Sequence, residues 1–460
     1  MSIDPTRRKI ALWGNFGTGN LGNECTLEAM VLNIRRYITN AEITCICNGP
    51  EEATSTHNIP AFPIRAPFPI RRMLKVFRKS FGAMGQTTRG YSDPTQKPFR
   101  YRWLKMLTRL KTSLRTFAYI LLEPYRWFMA IRRMKGHDML IITGLGMLGD
   151  FGIRPFGLHY DILTWAVIAK LRRCKLLFVS VGAGPLRHPV SRYFVKAALR
   201  LADYRSYRDA YSKDYMEGVG FDTRNDRVYP DLAFSLPRAM LPRRNGRDSR
   251  GPVIGVGLIN YYNRRATSMN DETLYREYIS KVGTFVTRLL ERRYIVRVLI
   301  GDAVYDQRVR QDLRAFLGGR NRIDYPDSRI IDEPASSVGE LLSQLASTNV
   351  VVSGRFHNLL LALMLGKPVV AMSYHEKFEP LLAGVGLAEF CQDIEHIDVE
   401  YLIKQLTSLL KNVDSLKLQI ARRTEAYRSA LDEQYNFIFK CNPCQAAARS
   451  ASDGTADTLQ

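Results

Sequence analysis

From Lys9 onward the chain repeats one unit: a short unbroken apolar run, a turn rich in glycine, then a stretch with helical spacing. Lys9–Gly14, the loop Asn15–Glu24 and the helical pattern Cys25–Tyr37 open the series. The unit recurs at Asp138–Thr143 with Gly144–Asp150, at Lys175–Val181 with Gly182–Pro185, and at Ala202–Asp209, where Ser212 is placed to cap the next helix. It resumes at Val253–Leu258, Tyr294–Asp302 and Asn349–Ser353. Apolar runs this short, without polar alternation, are strands buried on both faces, and strands separated by helices pair in parallel. The pattern predicts an α/β protein built from two Rossmann-like domains that face a cleft.

A chain of 460 residues exceeds what one hydrophobic core serves. Between Leu241 and Pro252 the composition turns to Pro, Arg, Asn, Gly, Asp and Ser, as in an exposed linker. The expected division is therefore 1–240, with the second strand at Glu42–Cys47, and 253–440, ending in helices from Asp398 to Phe437. Residues 446–460, rich in Ala, Ser, Asp and Gly, read as a disordered tail. Seven scattered cysteines and no apolar signal segment after Met1 suit a reducing cytoplasm. Cys441 and Cys444 form a CxxC whose nearest counterpart, Cys45 and Cys47, has the spacing of a strand, which argues against a zinc site.

The formal charge of +23 is concentrated: residues 61–135 hold eighteen lysines and arginines against two acids, Asp93 and Glu123, and so carry +16 of it. The same stretch is rich in Phe, Tyr and Trp. Trp103, Leu104, Leu107, Leu110 and Leu114 recur at helical spacing between Arg102, Lys105, Arg109 and Lys111. An amphipathic helix with cationic flanks lies in a membrane interface rather than across it. The longest apolar run, Phe117–Leu122, is far short of the ~20 residues a spanning helix needs. The expectation is an insertion in the first domain, with a loop at 82–97, that associates with the anionic inner membrane face. A solvated or self-packed insertion is the alternative; gripping of single-stranded nucleic acid is a weaker one, since no RNA-binding signature accompanies the charge.

Chemistry concentrates in Ser353-Gly354-Arg355-Phe356-His357-Asn358 and in Ser373-Tyr374-His375-Glu376-Lys377. Each follows an apolar strand, and in open α/β sheets ligands bind outside the carboxyl ends of the strands. Arg355, His357, Tyr374 and Lys377 at such ends point to a small anionic ligand. A structural carboxylate for Arg355 and a satisfied core environment for His357 are the alternatives. Gly17, Gly19 and Gly22 have dinucleotide-loop spacing, but Asn15, Asn20, Asn23 and Glu24 make that loop better suited to hydroxyls than to a pyrophosphate.

Taken in order, Gly17-Thr18-Gly19-Asn20-Leu21-Gly22, the Gly144–Asp150 loop, Gly182-Ala183-Gly184-Pro185, Tyr207-Arg208-Asp209 with Ser212, Pro230-Asp231, and the Arg-x-His and Tyr-x-x-Lys segments resemble the polysaccharide pyruvyl transferases over roughly residues 13–387. The resemblance implies two Rossmann-like domains similar to GT-B glycosyltransferases, phosphoenolpyruvate as donor and a saccharide hydroxyl pair as acceptor. It places Arg355 and His357, and Arg208 of the Arg-Asp segment, at the donor. Asn23 stands where the family usually has Asp, Phe356 where Leu is common, and the basic insertion is unusually large. Guanidinium forks suit the donor's carboxylate and phosphate, and Arg208 and Arg355 from opposite domains would clamp it. Ketal formation needs a proton for the enol methylene, and His357 is the first choice of catalytic acid. Tyr374 and Lys377 are further donor-binding candidates. Asn20, Glu24 and Asp150 are candidates for the acceptor hydroxyls, with Glu24 or Asp150 as base. No metal or cofactor is called for. Two rivals stand beside this reading: a GT-B glycosyltransferase with a nucleotide-sugar donor, and a non-catalytic membrane-associated scaffold. The charge concentration adds the expectation of a lipid-linked oligosaccharide acceptor.

Overall fold

The computed structural model describes residues 8–66, 122–150, 155–242, 251–261, 271–320 and 328–440. The first sheet contains β1 (Arg8–Trp13), β2 (Ala41–Cys47), β3 (Ala61–Pro63), β4 (Met139–Thr143), β5 (Lys175–Val181), β6 (Tyr204–Tyr207) and β7 (Arg227–Val228). The second contains β8 (Val253–Gly257), β9 (Ile295–Leu299), β10 (Ile330–Ile331), β11 (Val350–Ser353), β12 (Val369–Ser373) and β13 (Cys391–Asp393). Their spatial orders are β3-β2-β1-β4-β5-β6-β7 and β10-β9-β8-β11-β12-β13.

The strands that read as continuous apolar runs take the middle. In β1, Ile10 lies opposite Ile43 on one side and Met139 on the other, and in β8, Val256 lies between Val298 and Val352. These pairings are parallel, and β4, β8, β11 and β12 are buried along their whole length. Helices cover both faces, as a sheet with no polar face requires. Each sheet thus reverses its winding beside its first strand, between β1 and β4 and between β8 and β11. Loops leaving those carboxyl ends splay apart and open a crevice.

The two crevices meet. Leu21 N donates to Gly301 O at 3.0 Å and Ala303 N to Gly19 O at 2.8 Å, while Asn20 pairs with Asp302. The helix Leu21–Tyr37 starts at this seam, capped by Asn20, whose side chain accepts from Asn23 N. The helix Ala210–Gly218 is capped by Asp209, which accepts from Ser212 N. The cap is therefore Asp209 and not Ser212; the Ser212 hydroxyl lies inside the helix and pairs with the backbone of Ala183.

The last helix, Val413–Phe439, changes the expected division of the chain. Gln419 still donates to Val385 O in the second half, but from Arg428 onward its partners are in the first: Leu236 O, Asp432 with Arg36, Glu433 with Arg227, and Tyr435 with Ser235. The 253–440 segment is therefore not one body, because its final turns complete the core of the first sheet. Of the basic insertion, a helix over 122–133 is described, with an Arg126–Glu123 pair at 2.6 Å along its own surface. The expected amphipathic helix from Arg100, the 82–97 loop, the CxxC at 441–444 and the 446–460 tail lie outside the described residues. Among the described residues no helix is long and apolar enough to cross a membrane.

Candidate active site

Where the two carboxyl edges face each other lies a cleft of about 370 Å³. One wall is amide-rich: Asn15 and Asn20 from the loop after β1, Asn23 from the first turn of the helix that follows, and Asn48 from the end of β2. The opposite wall carries Arg355, Phe356 and His357 from the cap and first turn of the helix Phe356–Met364 after β11, and Tyr374 and Lys377 from the loop after β12. Arg208, at the end of β6, joins them from the first domain. Strand topology alone gathers residues 208, 355 and 377.

Three glycines make room for three of these side chains. A Cβ on Gly182 would stand 2.6 Å from Arg208 Cζ, one on Gly22 would stand 2.1 Å from His357 Nδ1, and one on Gly301 would stand 2.9 Å from Arg355 Cδ. None of the three glycines has a positive φ, so space rather than backbone freedom is what they supply. Gly17 and Gly19 differ: at φ +68° and +84° they turn the loop that brings Asn20 to the seam.

Arg355 is held by the turn that carries it and by one carboxylate. The Ser353 hydroxyl accepts from Arg355 N at 2.9 Å. The guanidinium pairs with Asp306, which is fully buried and also accepts from Asn260 N at 3.1 Å, Gly301 N at 3.0 Å and Asp302 N at 2.9 Å. Burial works against the charge of Arg355, and Asp306 more than offsets it, leaving its pKa above the ordinary value. Its Nε is buried without a hydrogen-bond partner.

His357 is half-buried, and its buried Nε2 likewise has no hydrogen-bond partner among the protein groups. Its pKa falls to about 4, chiefly because of burial; the field of Asp231 opposes the fall, while Lys377, Arg208 and Arg355 add to it. This lies below the near-neutral value expected of the imidazole from the sequence, with burial as the main cause. Unpaired polar atoms in a cleft lined by cations suit a polar anionic ligand.

Arg208 is buried, with Nε 3.3 Å from Asp209 Oδ2 and Nη1 3.7 Å from Asp231 Oδ2. Its guanidinium lies 5.2 Å from the centre of the Phe356 ring, as does Lys377 Nζ, so one aromatic ring touches a cation from each domain. Lys377 also donates to Tyr374 Oη at 3.1 Å.

The acceptor candidates separate. Asn20 lines the cleft while capping its helix. Glu24 does not line it; one oxygen accepts from Gly17 N at 2.8 Å and the other pairs with His57 Nε2 at 3.0 Å, bracing the loop from behind. Asp150 is also off the cleft wall, accepting from the backbone of Arg187 and His188. Sequence reasoning passed over Asp306 and Asn48. The Gly301-Asp302-x-x-x-Asp306 stretch closing β9 was the available signal for the first; Asn48 had none beyond its place at a strand end.

The family model for "Polysaccharide pyruvyl transferase" matches residues 20–376. The amylovoran biosynthesis protein AmsJ of Erwinia amylovora is 22% identical over 312 residues, which cover 64% of this chain and 71% of that protein. Among solved structures, S. aureus MnaA bound to UDP superposes with a TM-score of 0.55 at 12% identity, over 94% of this chain and 96% of the other. The UDP-GlcNAc 2-epimerase of Methanocaldococcus jannaschii does so with 0.51 at 11% identity, over 87% and 92%. At such identities the structural likeness speaks for the two-domain fold alone. With a family model spanning most of the sequence and its motif residues gathered in one cleft, the chain belongs to the polysaccharide pyruvyl transferase family.

Proposed function

We propose that the protein moves the pyruvyl group of phosphoenolpyruvate onto two hydroxyls of a saccharide as a ketal, releasing inorganic phosphate, in exopolysaccharide or cell-wall polysaccharide synthesis. The observation that carries this reading is the convergence of Arg208 from one domain with Arg355, His357 and Lys377 from the other on a single cleft. The similarity to a protein of amylovoran biosynthesis supports the polysaccharide setting.

The donor presents a carboxylate and a phosphate, and two guanidinium groups suit both. Arg355, fixed by Asp306 with Nε still unpaired, takes one anion; Arg208 and Lys377 take the other. The donor's negative charge offsets the same three cations that hold the His357 pKa down, so the imidazole gains its proton as the donor arrives. That proton passes to the methylene carbon, and the neighbouring carbon becomes cationic. One sugar hydroxyl adds there and returns its proton to His357. Phosphate then leaves with the electrons of its carbon–oxygen bond. The second hydroxyl closes the ketal, and its proton leaves with phosphate. The amide wall of Asn15, Asn20, Asn23 and Asn48 supplies donors and acceptors for the sugar hydroxyls. Glu24 acts on this wall indirectly, through Gly17.

A lipid-linked oligosaccharide as acceptor, and work at the cytoplasmic membrane face, complete the proposal. The test is calorimetry with phosphoenolpyruvate and with nucleotide sugars, on the wild type and on Arg355→Ala. Selective phosphoenolpyruvate binding, lost in the variant, is expected. Nucleotide-sugar binding without response to phosphoenolpyruvate would overturn the reading in favour of a glycosyltransferase.

A further inference from the structure

Beside the mouth of the cleft the first domain exposes aromatic surface that its own core does not use. Phe156 is 68% exposed and Tyr193 63% exposed. They belong to one cluster: Phe156 lies 5.6 Å from Phe194 and 6.1 Å from Tyr160 between ring centroids, and Tyr193 lies 6.0 Å from Phe194. On the adjoining 122–133 helix, Trp127 Nε1 donates to Tyr160 Oη at 3.4 Å, and the next residue, Phe128, is 60% exposed. A single exposed aromatic is unremarked in any protein, but a contiguous set marks a contact surface.

Two features say what the contact is with. The first is position. Leu158, two residues beyond Phe156, lines the cleft, so the start of one helix joins the patch to the cleft wall. The second is charge. The described chain on both sides of residues 67–121 is pinned to this patch: Arg65 donates to Phe156 O at 2.7 Å and pairs with Asp161, and Tyr160 Oη donates to Glu123 Oε2 at 3.3 Å. Residues 67–121, the stretch of sequence between these two anchor points, hold thirteen lysines and arginines and one acid, Asp93, a formal charge of +12. Aromatic rings at headgroup depth beside basic residues match the interface of an anionic bilayer.

We propose that the Phe156–Tyr193 patch docks on anionic membrane, setting the cleft mouth against the bilayer surface so that the saccharide of a lipid-linked acceptor enters directly. This rests on the lipid-linked part of the functional reading. The test is sedimentation of the full chain with zwitterionic vesicles and with vesicles containing anionic lipid, for wild type, Phe156→Ser/Tyr193→Ser and Phe156→Trp/Tyr193→Trp. Wild type is expected to bind the anionic vesicles, the serine pair to bind about tenfold more weakly or worse, and the tryptophan pair to retain binding. Thermal transitions report folding for each. If the wild type does not bind, or the serine pair binds as well as wild type, the proposal fails; if the serine pair misfolds, loss of binding by a folded tryptophan pair overturns it instead. Vesicle binding needs neither phosphoenolpyruvate nor a sugar, so its outcome is independent of the ketal chemistry.

Discussion

Asp306 decides how Arg355 meets a ligand. Asp306→Asn keeps the volume but replaces one of two oxygens that together accept from Asn260, Gly301, Asp302 and Arg355. An amide nitrogen cannot accept, so one donor set is left unpaired and the fork is released, a loss of about 1.5–3 kcal/mol for a bond to a charged group. We expect phosphoenolpyruvate affinity to fall roughly 10- to 100-fold. In an Arg355→Ala background the same change should add nothing further, whereas a merely structural effect would add in full. His357 makes the second prediction at this scale. Its pKa is near 6.5 when unfolded and about 4 when folded, so between these values the unfolded chain binds more protons. Stability from its neutral burial is therefore present above pH 6.5 and lost as pH falls toward 4, about 3 kcal/mol in all. Urea midpoints should drop through that window in wild type and drop less in His357→Asn. A weaker pH dependence in wild type than in the variant would contradict the assignment. That Arg355 and His357 sit at a strand end was legible in the sequence, because β-strands and their loops are written locally. The partner of Arg355 was not, since it lies 49 positions away in sequence, at Asp306, with two helices between them.

At the level of elements, the glycines of the loops have a dual use that spacing does not reveal. Gly17, Gly19 and Gly22 share the spacing of a dinucleotide-binding turn, yet only the first two serve a turn here; Gly22 is already helical and is kept small by His357. Gly22→Ala should therefore favour the helix by up to about 1 kcal/mol on propensity while driving the imidazole from its place. The expected result is a variant that is folded and cooperative in thermal denaturation, with most of its pyruvyl transfer lost. Gly182→Ala makes the parallel case for Arg208, whose guanidinium carbon would lie inside contact distance of the new methyl group. There donor affinity should fall. Retained donor affinity in Gly182→Ala would mean that Arg208 does not hold the donor. Strands were readable from their apolar runs, but β7 and β10, two residues each, were too short to stand out and exist only because a longer neighbour pairs with them.

Across the whole molecule, the two sheets were predictable because each repeats the same local grammar, and their carboxyl ends had to face one another once the halves were joined by a short linker. The closing strap was not predictable. Val413–Phe439 continues the helical series of the second half in sequence, but its apolar face fits both domains, and amphipathicity does not name a partner. Its second half supplies Gln434, fully buried, whose Oε1 accepts from Ser180 at 3.1 Å and whose Nε2 donates to Ser206 at 2.6 Å and Tyr204 at 3.2 Å. These are residues of β5 and β6, the strands that deliver Gly182 and Arg208 to the cleft. Gln434→Ala leaves two buried hydroxyls, Ser180 and Ser206, and the half-buried Tyr204 hydroxyl short of a partner. At about 1–3 kcal/mol for each buried group left unsatisfied, a loss of several kcal/mol is expected in urea unfolding. The loss should appear in the first domain although the substitution lies at residue 434. A fragment ending near residue 240 should for the same reason fail to fold cooperatively, since Arg208 stands on a sheet whose floor is made by the end of the chain. Cooperative unfolding of that fragment at wild-type stability would show the strap to be dispensable, and with it the reason for treating the donor clamp as a property of the entire two-domain protein.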